Sequence, residues 1–187
     1  MLFFLLLFSR FTRLHFRRYL TVGGSLKFIR GVVIRSFRLK DNNNHLRILT
    51  AGQNTIGVGV IIQGSGTLFI GKKSFIGDCA VIGCNAKITT GRDVMIAQAV
   101  TIRDTDHNFE CTEIPINRQG VTTEPITIRD DVWLGHGSII LKGVIMGVDA
   151  VVTAGALVNR DAPSFATIGR VLAKIIGSHK HVTNNQV

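Results

Sequence analysis

The stretch DTDHNFECTEIPINRQGVTTEP, from Asp104 to Pro125, places His107 among acidic and polar residues. Imidazole titrates near neutral pH, so a histidine here could take a proton from a reacting group as a general base. Asp104 or Asp106 could orient the ring and stabilise its charged form. The alternatives are a surface histidine without a catalytic role and aspartates that are solvated or form local turns.

The other histidines and the cysteines do not predict a metal site. His179 and His181 lie in a polar tail with no other ligand nearby. The sequence therefore predicts no catalytic metal. Three cysteines, Cys79, Cys84 and Cys111, indicate a reducing compartment and buried thiols that act as small apolar residues.

The stretch around His107 interrupts a repeat. After it, aliphatic anchors recur every six residues, at Ile128, Leu134, Ile140, Met146, Val152 and Val158. Before it, steps of six, eight and six residues give a period of 20, which relates Ile56, Ile76 and Ile96, and also Phe28, Ile48, Leu68 and Ile88. This period fits neither an amphipathic helix nor an alternating strand. It fits short strands that are joined by tight corners and stacked in three-sided coils.

The repeat predicts a parallel β-helix. Small or branched residues such as Ala80, Val94 and Ala150 stand four positions after the anchors, and glycine commonly follows an anchor, where it would supply backbone freedom. The eight-residue steps should stack as one enlarged corner. Loops longer than about 12–15 residues are usually functional or disordered, so residues 104–125 are predicted to project from one corner as a functional loop.

The sequence resembles the hexapeptide-repeat acyltransferases with a left-handed β-helix, in the branch of maltose, galactoside and bacterial surface-polysaccharide O-acetyltransferases. The resemblance covers about residues 48–177 and is densest in DTDHNF, VTTEPITIRDDVWLGHGSIILKGVIMG and VVTAGALVNRDAP. It implies left-handed coils, although the usual preference for right-handed crossovers favours the opposite hand. It also implies acetyl-CoA as co-substrate, a homotrimer with sites between subunits, and His107 as the general base.

Candidate donor-binding residues follow from the same resemblance. Trp133 is adjacent to an anchor and should point outward, and it matches a tryptophan near the pantetheine arm; an exposed or trimer-contact aromatic is the alternative. The other cofactor-binding candidates are Ala154, Asn159, Arg160 and Lys174. Leu172 stands where the family has a proline, and Ser164 follows Pro163 where it has a second one, so the turn before Lys174 is expected to differ.

Asn85 lies near the place where the sugar acetyltransferases have a polar residue that faces the acceptor. A corner-turn asparagine is the alternative. The function that the resemblance implies is transfer of an acetyl group from acetyl-CoA to a sugar hydroxyl, of a surface polysaccharide or its precursor. N-acyl transfer to an amino sugar and a non-catalytic β-helix scaffold remain as alternatives.

The positive charge lies at the N-terminus. Residues 1–47 hold ten Lys and Arg against one acid, whereas residues 48–187 hold twelve against eleven. The repetitive part is therefore nearly neutral, which argues against nucleic-acid binding. Arg10, Arg13 and Arg17 would share one face of a helix, so residues 1–20 could lie on an anionic membrane surface. A helix that caps the core or packs in an oligomer is the alternative.

The predicted organisation is all-β apart from the N-terminus. It has a basic amphipathic helical segment at 1–25, a β-helix domain at 26–177 with the loop 104–125, and a polar tail at 178–187. The expected location is the cytoplasm, at the inner face of the membrane.

Overall fold

The computed structural model describes residues 18–36 and 45–178. Within them the chain winds as a parallel β-helix, because successive coils contribute strands to three sheets. Within these sheets the strands pair in parallel from one coil to the next, except for the last strand, which pairs antiparallel with the strand before it. We name the sheets A, B and C in the order in which the chain visits them, and the corners AB, BC and CA. Tight stacking of this kind satisfies the backbone donors and acceptors between coils.

The strands are short. Sheet A contains β1 (Leu20–Val22), β4 (Arg47–Thr50), β7 (Thr67–Ile70), β10 (Lys87–Thr90), β15 (Ile126–Ile128) and β18 (Ile145–Met146). Sheet B contains β2 (Leu26–Phe28), β5 (Asn54–Ile56), β8 (Phe75–Ile76), β11 (Met95–Ile96), β16 (Trp133–Leu134), β19 (Val151–Val152), β21 (Ala166–Gly169) and β22 (Lys174–Ser178). Sheet C contains β3 (Val33–Ser36), β6 (Ile61–Gly64), β9 (Val81–Cys84), β12 (Thr101–Arg103), β17 (Ile139–Ile140) and β20 (Leu157–Val158).

Aliphatic side chains fill the inside of the coils. In sheet A, Ile48, Leu68, Ile88 and Ile126 stack in register, and all four are fully buried. Burial of each such side chain contributes about 1.5–3 kcal/mol to the free energy of folding. Thr90 takes one anchor position, where its Oγ1 accepts a hydrogen bond from the Gly71 N–H at 3.2 Å. The predicted anchors are therefore confirmed as the core.

The glycines that follow the anchors have a different purpose from the one expected. A Cβ on Gly77 would lie 2.6 Å from the carbonyl carbon of Ala97 in the next coil, so glycine is needed there for close stacking. Left-handed backbone occurs instead at corner residues such as Lys73, Cys79 and Asp93, with φ of 60°, 58° and 56°. Backbone freedom after the anchor was thus the wrong explanation.

The enlarged corner is CA. The eight-residue steps lengthen the strands on either side of it, and the corners at 65–66 and 85–86 stack on one another. The loop 104–125 leaves the same corner one coil later. Its ends form an antiparallel hairpin, β13 (Thr105–His107) with β14 (Val121–Thr123), and a 3₁₀ turn lies at Ile116–Arg118. The prediction of one projecting loop at a corner agrees with this geometry.

The N-terminal predictions need correction. The helical segment 1–25 falls mostly outside the described residues, but Leu20–Val22 form a strand that pairs with β4, so the β-helix begins before residue 26. Phe28 pairs with Ile56 and not with Ile48, because the first coil is eight residues longer than the next. At Leu20–Val22, backbone pairing with the neighbouring coil outweighs the helical pattern of the local sequence. Among the described residues, no helix is long and apolar enough to cross a membrane.

Candidate functional site

His107 projects from corner CA on one face of the hairpin. Successive side chains of a strand point to opposite faces, so His107 shares its face with Thr105, whereas Asp106 lies on the other. Thr105 is buried, and the His107 side chain is exposed. The strand therefore begins inside the molecule and ends with an accessible imidazole.

Asp104 is fully buried where the loop leaves β12. One carboxylate oxygen, Oδ1, accepts hydrogen bonds from the Asn85 N–H at 2.8 Å and the Thr105 hydroxyl at 2.8 Å. The other, Oδ2, accepts from the Ala86 N–H at 2.8 Å. The carboxylate is thus hydrogen-bonded to the preceding coil, which we call the coil below; the next coil along the chain is the coil above. It is not placed to bond the imidazole directly.

Asp106 is also engaged elsewhere. Lys142, in the coil above, donates a hydrogen bond to Glu124 at 2.8 Å and lies 3.8 Å from the Asp106 carboxylate. The hydrogen bond to Glu124 is the main cause that raises the pKa of Lys142, and the charge of Asp106 adds to it. Lys142 therefore links Asp106, in the first strand of the hairpin, and Glu124, directly after the second strand, to the next coil. Asp106 lies on the face of the hairpin opposite His107.

Asn85 lies at corner CA below the loop and is largely buried. Its Nδ2 donates to Thr105 Oγ1 at 2.9 Å, and its buried Oδ1 has no hydrogen-bond partner among the described residues. This position matches the alternative of a corner asparagine. It also brings Asn85 to the side of the hairpin that carries His107.

The cysteines differ from one another. Cys84 is buried, and burial, together with the charge of Asp104, raises the pKa of its thiol strongly, so it stays protonated. Cys79 and Cys111 are exposed, so the prediction of buried thiols was wrong for these two. Within the described part of the chain, no group of three or more His, Cys, Asp or Glu side chains could hold a metal ion.

Trp133 points outward from sheet B, as predicted, with 47% of its surface exposed. It stacks in register on Met95, which stacks on Phe75, and these two are also exposed. We call these three residues the sheet B ladder. Val151 continues it one coil above Trp133.

Three of the donor-binding candidates lie along one edge of the molecule. A Cβ on Gly135, two residues after Trp133, would lie 2.7 Å from the nitrogen of Ala154, so the two segments touch at corner BC. Lys174 is exposed and pairs with Gly169 at the end of sheet B, beyond Val152. Asn159 and Arg160 are exposed at the opposite edge of sheet C, so the structure separates them from the other three.

His107 and Trp133 do not meet within one chain. The hairpin leaves corner CA, whereas Trp133 lies on sheet B, the side of the prism opposite that corner. The sequence analysis also missed Thr105 and Lys142. Their spacing could have revealed both, since Thr105 follows Asn85 by 20 residues and Lys142 follows Glu124 by 18, one coil length in each case.

Comparisons with known proteins show which proteins the chain resembles. No protein-family model matches the sequence. WbbJ of Escherichia coli K12, named for O-acetyl transfer in lipopolysaccharide biosynthesis, is 32% identical over 142 residues, which are 71% of this chain and 72% of WbbJ. The hexapeptide-repeat acetyltransferase VCA0836 of Vibrio cholerae, solved with acetyl-CoA, has a TM-score of 0.58 at 26% identity over 69% of this chain and 72% of that one.

A third comparison concerns the fold alone. A variant of AntD, an N-acyltransferase of Bacillus cereus, was solved with dTDP-4-amino-4,6-dideoxyglucose and coenzyme A. It has a TM-score of 0.73 at 17% identity over 91% of this chain and 90% of that one. Together with the coil topology, these likenesses confirm the predicted left-handed parallel β-helix.

Proposed function

Because the chain belongs to the hexapeptide-repeat acetyltransferases, we propose that it transfers an acetyl group from acetyl-CoA to a sugar hydroxyl, with His107 as the general base. The acceptor in this proposal is a surface polysaccharide or its precursor, as the name of WbbJ suggests. The observation that carries the proposal is the projecting hairpin. It presents an exposed imidazole, while the carboxylate of Asp104 is hydrogen-bonded to the preceding coil and that of Asp106 lies 3.8 Å from the Lys142 ammonium.

The chemistry requires a base because a sugar hydroxyl is a poor nucleophile at neutral pH. The hydroxyl oxygen attacks the thioester carbonyl carbon while His107 takes its proton. The tetrahedral intermediate then collapses, the carbon–sulfur bond breaks, and the imidazolium returns the proton to the sulfur of CoA. No covalent enzyme intermediate forms, so the two substrates must be held together, and this proximity accounts for much of the acceleration.

The donor would lie along the edge formed by Trp133, Ala154 and Lys174. An extended pantetheine needs a long apolar contact followed by a cation for the phosphates. Trp133 offers the apolar surface and Lys174 the charge, in that order along the helix axis. Asn159 and Arg160, on the other edge of sheet C, would contact a donor bound to that edge, which a neighbouring subunit could supply.

A homotrimer would complete the site. Since His107 and Trp133 lie on opposite sides of one prism, the His107 of one subunit would work beside the Trp133 of another. The loop also exposes three apolar side chains, Phe109, Ile114 and Ile116, which a neighbouring subunit would cover. A fully active monomer in sedimentation would contradict this part of the proposal.

N-acyl transfer to an amino sugar is the second candidate. AntD, which shares the fold over nine-tenths of both chains, is named as an N-acyltransferase, and an amine acceptor could use the same base and donor edge. A non-catalytic scaffold is a third candidate. Acetyl-CoA turnover that a sugar stimulates would exclude the scaffold, and the bond formed in the product would distinguish an ester from an amide.

The test uses the full chain with acetyl-CoA and a panel of oligosaccharides that differ only in hydroxyl or amino groups. We expect free thiol to appear in step with an O-acetylated product, which mild alkali hydrolyses. Alkali-stable acetyl groups would favour the amide, and no acceptor-dependent release of CoA would contradict both enzymatic proposals.

Membrane contact through residues 1–20 is a separate proposal that rests on charge, because most of that segment is outside the described residues. Leu20 belongs to β1, so the appropriate deletion removes residues 1–17 and leaves the strand intact. The shortened chain should no longer sediment with anionic vesicles at low ionic strength, but should keep its turnover of a soluble acceptor. Equal sedimentation of both forms would leave the packing alternative. Contact with the inner face of the membrane would place the enzyme in the cytoplasm.

A further inference from the structure

A buried polar network lies at the loop root, by which we mean Asp104 and Thr105 where the loop begins and Glu124 where it ends. The side chains of Asp104 and Thr105 are buried, and Glu124 contributes its backbone N–H. Asp104 is fully buried and accepts three hydrogen bonds, and its backbone carbonyl accepts another from the Glu124 N–H at 3.0 Å. Burial of a carboxylate is costly unless such charge-assisted bonds compensate for it. An ordinary surface loop does not require this arrangement.

Other aspartates show what coil stacking alone requires. Asp78 accepts one bond from the Val58 N–H at 2.7 Å, and Asp161 accepts one from the Ile145 N–H at 2.8 Å. Both carboxylates remain partly or fully accessible. Asp104 differs because both of its oxygens are engaged and because it also fixes a side chain of the hairpin, the Thr105 hydroxyl. The additional bonds therefore act on the hairpin and not only on the coils.

The path from the loop root to the imidazole is short. The Thr105 hydroxyl donates a hydrogen bond to Asp104 and accepts one from Asn85 Nδ2, so it has a partner both as donor and as acceptor. His107 is two residues further along the same strand and on the same face. Pairing of Thr105 with Thr123 then fixes the second strand against the first.

We propose that Asp104 and Thr105 are positioning residues, which hold the His107-bearing face of the hairpin against Asn85 and so set the position of the imidazole relative to the acceptor. The inference rests on the proposed function, since it concerns His107 as the base. Neither residue touches a substrate in this proposal. A small misplacement of a catalytic group can cost as much as about 10²-fold in rate, so the network should be visible in turnover.

The test is Thr105→Val, which keeps the shape of the side chain and removes the hydroxyl. We expect kcat to fall about 10- to 100-fold, with the KM for acetyl-CoA unchanged and the pH dependence of kcat/KM retained. Thr105→Ser restores the hydroxyl and should restore most of the rate. Thr105→Ala provides the same loss of the hydroxyl if valine prevents folding beside Asp104.

Thr90→Val is the matched control. Thr90 is buried, its hydroxyl accepts one hydrogen bond from a backbone N–H, and it lies at the end of sheet A next to corner AB, away from the corner that the loop leaves. It should lower thermal stability as Thr105→Val does, but leave kcat unchanged. Equal losses of kcat in the two variants, or near-normal kcat in Thr105→Val, would overturn the inference. If His107→Ala is inactive while Thr105→Val is normal, this inference alone fails; a fully active His107→Ala would remove the proposed base and the inference with it.

Discussion

Corner CA differs between the coils before the loop and the coils after it. Before the loop, the 20-residue coils enlarge the corner, and buried polar side chains occupy its inside: Ser65, Asn85 and Thr105. After the loop, the coils are uniform hexads, and Val144 fills the corner. The loop lies where the coil length changes. At corner CA, the buried polar network therefore belongs to the enlarged form of the corner.

This difference gives the loop two unlike attachments. Below, Asp104 and Thr105 bond to Asn85 and Ala86 inside the protein. Above, Lys142 forms an ion pair with Glu124 whose carboxylate is half exposed. Exposed ion pairs contribute about 0–1 kcal/mol, whereas buried hydrogen bonds to a charged group contribute about 1.5–3 kcal/mol. The coil below should therefore determine the position of His107 more than the coil above.

The largest expected effect is that of His107→Ala. Loss of the general base should lower kcat by about 10²–10⁴-fold and leave acetyl-CoA affinity nearly unchanged. Because the imidazole is exposed outside the coils, the thermal midpoint should shift little. Steady-state kinetics and calorimetry on the same preparation test both statements, and a variant that fails to fold would make the loop structural.

Trp133→Ala tests the donor edge, which belongs mainly to the coils after the loop. Loss of an aromatic contact of about 1.4 kcal/mol would weaken acetyl-CoA binding about tenfold. Phe75→Ala, in the same sheet B ladder two coils below, is the control and should leave donor affinity unchanged. Titration calorimetry with CoA measures both, and equal losses would mean that the ladder acts as one general contact surface.

Lys142→Met tests the attachment to the coil above. The ion pair should be worth less than about 1 kcal/mol, so kcat should fall no more than about fivefold. Lys142→Arg keeps the charge and should retain the rate. A loss as large as that expected for Thr105→Val would show that the upper attachment matters equally, and the asymmetry between the two would disappear.

The smallest effect concerns corner AB, where Asp131 lies close to Asp149 in the next coil. The hydrogen bond with Asp149, burial, and the neighbouring charges of Asp149, Asp93 and Asp130 raise the pKa of Asp131. A raised folded-state pKa stabilises the protein at low pH, and this stabilisation is lost as pH rises through it. At neutral pH the stacked carboxylates therefore repel one another.

Asp131→Asn should accordingly raise the thermal midpoint slightly at pH 7 and have little effect at about pH 4, near the ordinary pKa of Asp. Asparagine also tolerates the left-handed backbone at this position, where φ is 55°. Asp130→Asn is the contrasting variant, because Asp130 accepts the Arg92 N–H and pairs with its guanidinium. It should not raise the midpoint, and a rise in both variants would indicate a general effect of net charge.

Much of the fold could be predicted because the repeat is nearly perfect. The six-residue steps identified the buried anchors from Ile56 to Val158, and the eight-residue steps identified the enlarged corner. Period alone failed in the first coil, where extra residues before His45 shift the register and move Phe28 onto Ile56. It also failed at Leu20–Val22, since three residues show no strand pattern before their partner strand is known.

The candidate site was less predictable. The sequence predicted that His107 lies on a projecting loop, because the repeat is interrupted there. It predicted that Trp133 points out of the coil, because Trp133 is next to an anchor residue. Both are local properties of the sequence. It could not show that Asp104 faces inward or that Asp106 faces Lys142. Those orientations depend on which side of the hairpin meets which coil. Spacing by a full coil, as between Asn85 and Thr105, indicates only that two residues lie close together, not which way their side chains point.

The sequence by itself determined the coil, its core, the enlarged corner and the place of the loop, because each follows from side-chain types recurring at a fixed interval. The tertiary structure alone decided that Asp104 is buried beneath the loop, that His107 and Trp133 lie on opposite sides of one chain, and that the glycines serve close stacking. These depend on which atoms of different coils approach one another. Such distances are set by the packing of the whole prism and leave no periodic signal along the chain.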